Sequence, residues 1–426
     1  MDVQRAITIL LPNDPDLVDT LDAFRDVQNR VSEVAFNEGK PLRAVELQRA
    51  VYQEVKGTLS SQMTITALRL VAGAYASARR NRTRRLRAEA QRKARYEAKG
   101  WDYKPRTIPP VRVCRFERKA ALFLVGQRGR DADFRADGML SIWTVAGRKR
   151  LSYAIPSGLR PLFDAAKEID SVTVIERGGK LYGRVALTLE APEAKGVVPV
   201  GIDLNETNAL VAVDADGQEL FISGKNIRVR NKRTAQTTAR VQRKLATKKA
   251  ETKDRRSVRR LLKRLSGRRR RRTADFARVA AKTLMAWAPE DAVLVFEDLR
   301  MQRPEKGLTG GRALRRRLSL WQFAAIRQAV QNKAQMAGMA VVFVNPAYTS
   351  QKCSRCGLLG DRRRHVFTCP HCGYTAHADV NGATNVRNRF VQSRLDGPPS
   401  VSPEARKASD SPPVLSEGKP TGFSGG

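Results

Sequence analysis

The sequence predicts an α+β protein of several domains. Three observations support this fold class: the length of 426 residues, a hydrophobic periodicity that changes from helical to alternating and then to a mixture of both, and two C-x2-C pairs near the C-terminus. At roughly 100 to 200 residues per domain, the length suggests two to four domains. Hydrophobic residues make up 41% of the chain, which is too many for a wholly disordered protein.

The charge balance is strongly positive. The chain has 80 Lys and Arg against 42 Asp and Glu, a net charge of +38 at pH 7, so a polyanionic partner is expected to offset the self-repulsion. No stretch approaches about 18 apolar residues and the start lacks a signal-peptide pattern, so neither membrane insertion nor secretion is expected. Five cysteines, four of them in two close pairs, indicate metal ligation in a reducing compartment, and we expect a cytoplasmic protein.

The first quarter of the chain predicts one strand and three helices. Residues 1–12 contain the apolar run AITILLP, which predicts a strand. Residues 13–105 carry apolar side chains at spacings of three and four, which predicts helices, the last from about Ser61 to Gly100. The second half of this helix, residues 79–96, is densely cationic. A run of one sign favours a phosphate partner over an ordinary solvated surface.

Residues 106–195 predict an all-β module. Short alternating segments follow one another between turn signals, beginning with VRVCRFER at 111–118 and including a hairpin at ERGGK, residues 176–180. Trp143 is expected in the core of this module rather than on a base-stacking platform.

Residues 196–395 mix both periodicities. Three strands at 197–204, 209–213 and 218–222 predict an antiparallel meander. A helical segment with 22 Lys and Arg against three acidic residues follows at 228–278. The remaining predicted elements are, in order, a strand at 292–296, a helix at 312–337, a strand at 340–344 and a last helix at 378–395. Residues 396–426 are rich in Pro, Ser and Gly, which predicts a disordered tail.

The cysteine spacing C-x2-C-x12-C-x2-C predicts a zinc site. A glycine follows each pair and supplies the backbone angles that aim two thiolates at one ion. Four thiolates complete a tetrahedral site, so the zinc is expected to be structural. His365 and His371 are not needed for it, and Cys114 is expected to be an ordinary buried thiol. The predicted zinc ligands are Cys353, Cys356, Cys369 and Cys372.

Three carboxylates form the second candidate site. Asp203 and Glu297 end apolar strands and Asp379 starts the last helix. Each alone is more often a turn or capping residue. The order of three meandering strands, helix, strand, helix, strand and helix is, however, the ribonuclease H-like layout, in which the first and fourth strands end beside a terminal helix. Carboxylates that converge there predict two Mg²⁺ ions that support phosphodiester hydrolysis.

Five sequence motifs resemble those of a known protein family. GIDLN, VFEDL, TSQKCSRCG, CPHCG and DVNGATNV resemble, in matching order, the RuvC and zinc-finger signature of the transposon-encoded TnpB (OrfB) family and of the related compact type V CRISPR nucleases. The resemblance implies an RNA-guided DNA endonuclease in which Asp203, Glu297 and Asp379 bind the catalytic magnesium ions. The implied partners are a guide RNA, double-stranded target DNA next to a short flanking motif, and the displaced DNA strand.

The resemblance also implies a division into domains. Residues 1–12 and 106–195 would form a β-barrel-like wedge, and residues 13–105 a helical recognition domain. Residues 196–347 and 377–395 would form the RuvC-like nuclease, interrupted by a zinc-binding insertion for target nucleic acid at 348–376.

Two departures from the family pattern lie beside the carboxylates. The chain has Asn205 where the family usually has glycine in D-x-G, and Gly382 where the last motif usually reads D-x-N-A-A. Neither change removes a carboxylate, so an active nuclease is expected. Asp298 is the nearest rival to Glu297, because a shift of one residue along a strand reverses the side a residue faces.

Other functions stay open at this point. The chain is alternatively a nuclease-inactive RNA-guided DNA-binding protein, a compact type V CRISPR effector, or a basic RNA-binding protein with a structural zinc ribbon. One copy per RNA is the default expectation, although some compact CRISPR relatives work as dimers.

Overall fold

The computed structural model describes residues 2–37, 44–126, 131–247, 253–298 and 323–395. The chain divides into two compact units, Met1–Glu190 and Ala191–Gly426. The predicted disordered tail lies outside the described residues, and so does the first part of the helix predicted from residue 312. Among the described helices, none is long and apolar enough to cross a membrane.

The first unit contains two antiparallel sheets. The larger has the strand order β1-β7-β6-β2, and the smaller has the order β3-β4-β5. The predicted hairpin is confirmed, since β6 and β7 are joined at Gly178 and Gly179, whose φ angles of 63° and 72° suit glycine. The strands are β1 (Asp2–Leu11), β2 (Ala120–Leu124), β3 (Ala132–Phe134), β4 (Met139–Thr144), β5 (Gly147–Ser152), β6 (Ala166–Arg177) and β7 (Lys180–Glu190).

Among the described residues of this unit, four α-helices accompany these sheets: α1 (Pro15–Asn37), α2 (Ala44–Val55), α3 (Ser61–Glu97) and the short α4 (Arg160–Asp164). The Ser60 hydroxyl accepts a hydrogen bond from the Met63 amide and caps α3. The apolar first half of α3 is buried, in one hydrophobic core with the strands, whereas most of its cationic second half is exposed. Trp143 packs partly buried against this core, as predicted.

One predicted strand is wrong. Residues 111–118 have no strand, although Val111, Cys114 and Phe116 are partly buried and pack against the core. Their backbone groups bond to helix side chains instead of to a neighbouring strand. The Cys114 amide donates to the Tyr75 hydroxyl at 3.1 Å, and the Phe116 amide donates to the Asn29 carbonyl oxygen at 2.9 Å. A pattern of apolar residues indicates which side chains pack against a core. It does not indicate which groups form hydrogen bonds with the backbone amides and carbonyls.

The second unit is built on a five-stranded sheet of order β10-β9-β8-β11-β12. Strands β8 to β10 form the predicted antiparallel meander, and β11 runs parallel to both β8 and β12. Most residues of β8 and β11 are buried, as expected for parallel strands covered on both faces. The strands are β8 (Val198–Asp203), β9 (Asn208–Val213), β10 (Glu219–Ser223), β11 (Ala292–Glu297) and β12 (Ala340–Val344).

Helices cover both faces of this sheet. One face packs against residues of α6 (Lys253–Trp287) and α7 (Phe323–Ala337), and the other against α8 (Ala378–Leu395). Helix α5 (Lys225–Ala246) packs beside α6. Gly201 lets α8 approach β8 closely, because a Cβ there would lie 2.0 Å from the Ala383 carbonyl oxygen. This contact brings the start of α8 to the carboxyl ends of the strands.

A small three-stranded antiparallel sheet precedes α8. Its order is β13-β14-β15, from β13 (Asp361–Arg363), β14 (Val366–Thr368) and β15 (Thr375–His377). Strand β15 runs directly into α8, so this sheet and the helix that carries Asp379 are continuous in the chain.

Candidate metal centres

The three predicted carboxylates occupy neighbouring positions in the fold. Asp203 ends β8 and Glu297 ends the adjacent parallel strand β11, where Phe296 lies opposite Ile202. Because adjacent parallel strands end at the same edge of a sheet, the two carboxylates lie side by side. Asp379 lies in the first turn of α8, which packs on β8. Asp379 is 1% exposed and Asp203 is 9% exposed.

The charges of these groups affect one another. Burial, followed by the charges of Glu297 and Asp379, raises the pKa of Asp203 well above its usual range, against the opposing effects of Arg362 and Asn205. Burial also raises the pKa of Glu297, against the Thr349 hydrogen bond and the charge of Arg389. Buried like charges that repel each other favour a divalent cation, and oxygen ligands suit Mg²⁺.

Polar side chains hold each carboxylate. The Asn205 amide donates to Asp203 Oδ2 at 2.6 Å, and the Asn208 amide donates to Asp379 Oδ2 at 2.9 Å. Arg362 Nη2 lies 2.8 Å from Asp379 Oδ1, where it supplies the positive charge that a cation would otherwise supply. The Thr349 hydroxyl donates to Glu297. Sequence reasoning missed Asn208, Thr349 and Arg362, because each reaches the site from an element whose placement only the fold provides.

The two residues that depart from the family pattern, Asn205 and Gly382, both lie next to Asp203 Oδ2. Asn205 donates to Asp203 Oδ2, and a Cβ on Gly382 would lie 3.2 Å from that oxygen. Because Gly382 has no side chain, the Asp203 carboxylate fits beside it.

Substitution Gly382→Ala should lower catalytic activity without destabilising the chain. The new methyl group displaces the Asp203 carboxylate by a few tenths of an ångström, and a misplacement of 1 Å costs about 100-fold, so DNA cutting should slow about 3- to 10-fold. Gly73→Ala in α3 is the matched control, since a Cβ there has no atom within 4 Å. Both changes should raise the thermal stability slightly. Equal cutting rates in the two variants would contradict this role of Gly382.

Substitution Asp203→Asn should stabilise the magnesium-free chain at neutral pH. Asp203 has a higher pKa in the folded chain than in the unfolded chain, where it is about 4. The folded chain therefore loses stability as the pH rises from about 4 through the pKa of Asp203 in the folded state. The variant lacks this loss, and a gain of about 1 kcal/mol would raise Tm by roughly 2 to 4 °C. Melting curves over a pH series, in magnesium-free buffer without chelator, measure the effect. A wild-type chain that is as stable as the variant at neutral pH would contradict it.

The four paired cysteines form a second centre. Their sulfur atoms all lie within 4.8 Å of one another, so they can hold a zinc ion. Gly357 and Gly373 have φ angles of 77° and 69°, as the predicted turns require. Although burial opposes it, hydrogen bonds from the backbone amides of Cys372 and His371 help to lower the pKa of Cys369 to about 6. The thiolate form that binds zinc is thereby favoured at Cys369, whereas, against a backbone hydrogen bond at Leu358, burial and the neighbouring thiols raise the pKa of Cys356 to about 12. Burial raises the pKa of Cys114, which takes no part in this cluster.

The thiol cluster is joined to the helix that carries Asp379. The Asn381 carbonyl oxygen accepts from the Ser354 amide at 2.9 Å, and its own amide donates to the Lys352 carbonyl at 2.8 Å. Asn385 donates to the backbone carbonyls of Thr349 and Lys352. The cysteine loop therefore fixes the N-terminal half of α8, and with it the position of Asp379.

Two family models match the chain. OrfB_IS605, described as a probable transposase, matches residues 182–306, and Cas12f1-like, TNB domain, matches residues 323–386. The first range contains Asp203 and Glu297, and the second contains Asp379 and the four paired cysteines.

Individual proteins are similar over longer stretches. A TnpB-like protein of Aquifex aeolicus (strain VF5) is 28% identical over 282 residues, 61% of this chain and 87% of that protein. The putative RNA-guided DNA endonuclease InsQ of Escherichia coli (strain K12) is 30% identical over 236 residues, 51% of this chain and 56% of InsQ. The solved mini-RNA-guided endonuclease CRISPR-Cas_phi3 has a similar fold, with a TM-score of 0.51 at 11% identity over 91% of this chain and 92% of that chain.

Proposed function

We propose that this chain, which is a TnpB-family relative of the compact type V nucleases, is an RNA-guided DNA endonuclease. The observation that carries the proposal is the meeting of Asp203, Glu297 and Asp379 at one edge of the sheet, in a chain with a net charge of +38. Carboxylates placed to hold magnesium suit phosphodiester hydrolysis, and the basic surfaces suit the nucleic acids that the site would cut.

In this proposal the three carboxylates would hold two magnesium ions. Three buried or half-buried carboxylates on neighbouring elements provide hard oxygen ligands, and burial together with the charges of Glu297 and Asp379 raises the pKa of Asp203. When bound, two such ions would activate water and stabilise the leaving oxygen. Asn205, Asn208 and Thr349 orient the carboxylates by hydrogen bonds. Arg362 pairs with Asp379 and holds its carboxylate in place.

The basic helices would hold the nucleic acid. The cationic half of α3 and the arginine-rich α5 and α6 carry many exposed basic side chains, which suit backbone phosphates. Sequence recognition would come from pairing between the guide RNA and the target strand, so few base-reading side chains are needed. In this proposal residues 196–347 and 377–395 are the RuvC-like nuclease, and residues 348–376 are the zinc-binding insertion. Residues 13–105, together with 1–12 and 106–195, contact the guide and the flanking motif.

Cleavage of a matched DNA tests this function. The full chain is purified with co-expressed RNA and incubated, with and without Mg²⁺, with a DNA that carries the guide-matched sequence beside a randomised flank. Magnesium-dependent cutting beside one flanking motif supports the proposal. RNA-dependent DNA binding without cutting would instead indicate a guided binding protein, and RNA binding without guided DNA contact would indicate a basic RNA-binding protein.

Nucleic-acid binding should depend steeply on salt. If the basic helices neutralise 6 to 10 phosphates of duplex DNA, affinity should fall by about 10³- to 10⁵-fold between 50 and 200 mM salt. Replacing Arg268, Arg269 and Arg270 of α6 together by glutamine should reduce the slope of log Kd against log salt. Fluorescence anisotropy at several salt concentrations measures this slope. An unchanged slope would place the phosphate contacts elsewhere.

A further inference from the structure

The three histidines of the chain all lie between residues 365 and 377. His371 lies between two of the paired cysteines, whereas His365 and His377 face each other outside the thiol cluster. Their rings stack with centroids 5.6 Å apart and an interplanar angle of 20°. Four thiols complete a tetrahedral zinc site, so neither imidazole is needed there.

Strand pairing brings these two imidazoles to a carboxylate. Val366 on β14 lies opposite His377 on β15, and the Ala378 amide donates to the His365 carbonyl at 2.8 Å. Asp379 follows His377 by two residues. The ligand atoms of His365, His377 and Asp379 all lie within 4.8 Å of one another. Bonds of about 2.1 Å at the tetrahedral angle require separations of about 3.4 Å, so binding would bring the ligand atoms closer and turn the stacked rings toward one ion.

We propose that His365, His377 and Asp379 form a second zinc-type metal site, separate from the four-thiol centre. Imidazole ligands select borderline divalent ions such as Zn²⁺ over Mg²⁺, which prefers oxygen ligands. Two imidazoles and one carboxylate supply three positions of a tetrahedron, and the fourth remains open to water.

The existing contacts of these residues are compatible with a bound ion. Asp379 Oδ1 already has a cationic partner in Arg362 Nη2 at 2.8 Å, so an ion there replaces one positive charge by another. An ion on His377 Nδ1 displaces a single hydrogen bond, from the Asp379 amide at 3.2 Å. Phe221 packs edge-on against the His377 ring with centroids 5.1 Å apart.

This site goes beyond the proposed nuclease function, although Asp379 belongs to both. Its test measures metal binding alone and needs no cutting activity. A failure of this inference is therefore distinguishable from a failure of the proposed function.

Zinc titration of the untagged full chain tests the site. A chain that already carries one zinc in the four-thiol centre should bind a second equivalent, seen by titration calorimetry and by metal content after gel filtration. His365→Gln and His377→Gln should each weaken this second binding more than 10-fold, since loss of even an outer-shell partner costs about 10- to 100-fold. His371→Gln is the matched control and should keep both equivalents. Retention of the first zinc shows that each variant has folded.

Imidazole NMR of the wild-type chain provides a second readout that depends on no variant. With labelled histidine the chain has three imidazole signals, and the second zinc equivalent should shift two of them and leave the third in place. The absence of a second equivalent, its survival in both His365→Gln and His377→Gln, its loss in His371→Gln, or an equal shift of all three signals would overturn the proposal.

Discussion

Substitution Glu297→Gln should abolish DNA cutting while RNA-guided DNA binding persists. The change keeps the shape of the side chain but removes a charge from the shared carboxylate site. Metal ions supply several kcal/mol of transition-state stabilisation, and each 1.4 kcal/mol is tenfold in rate, so cutting should slow by about 10³-fold or more. Cleavage and binding of the same labelled DNA, measured side by side, separate the two effects.

Asp298→Asn is the matched control for Glu297→Gln. The two residues are adjacent and both are acidic, but Glu297 ends the strand beside Asp203, whereas Asp298 follows it and donates its amide to the Val344 carbonyl at 2.8 Å. Asp298→Asn should cut DNA at close to the wild-type rate. Loss of cutting in Asp298→Asn with activity retained in Glu297→Gln would show that Asp298, and not Glu297, belongs to the site.

Removal of the thiol cluster should abolish both zinc binding and cutting. Cys353 and Cys369 are 1% exposed, and structural zinc in small finger peptides contributes about 10 to 16 kcal/mol of apparent binding energy. Cys353→Ser or Cys369→Ser should therefore release the zinc and unfold the cysteine loop. Because this loop bonds to Asn381 and Asn385 on α8, Asp379 should lose its position. Zinc content and cutting rate, measured on the same preparation, test the link.

Cys114→Ser is the control for the cysteine variants. Cys114 lies in the first unit, outside the thiol cluster, so this variant should keep one zinc per chain and its cutting activity. Full cutting by a zinc-free Cys353→Ser chain would contradict the structural role assigned to the cluster.

Hydrophobic periodicity predicted most elements of the fold because burial determines it directly. The meander, the hairpin at Gly178 and Gly179, and the last helix all lie close to their predicted bounds. Periodicity failed at residues 111–118, where partly buried apolar side chains pack against the core but Tyr75 and Asn29 satisfy backbone groups. Such a segment differs from a strand only in its hydrogen-bond partners, and these lie far away in the chain.

The candidate site was predictable in its charged residues but not in their surroundings. Asp203, Glu297 and Asp379 lie at element ends that the topology brings together. Arg362 carries no local signal, and the motif TSQKCSRCG that begins at Thr349 gave no indication of its contact with Glu297, because both residues reach the carboxylates from the cysteine segment. Asn205 and Gly382 were visible only as departures from a pattern. The structure relates both of them to the single oxygen Asp203 Oδ2.

Reprogramming the guide tests the central proposal most directly. The chain is purified with two RNAs that differ only in their guide segments, and each complex is offered both matched DNAs in the presence of Mg²⁺. We predict that each complex cuts only its own DNA and that Glu297→Gln cuts neither. Cutting that does not depend on the guide sequence, or equal cutting by Glu297→Gln, would contradict an RNA-guided nuclease that works through these three carboxylates.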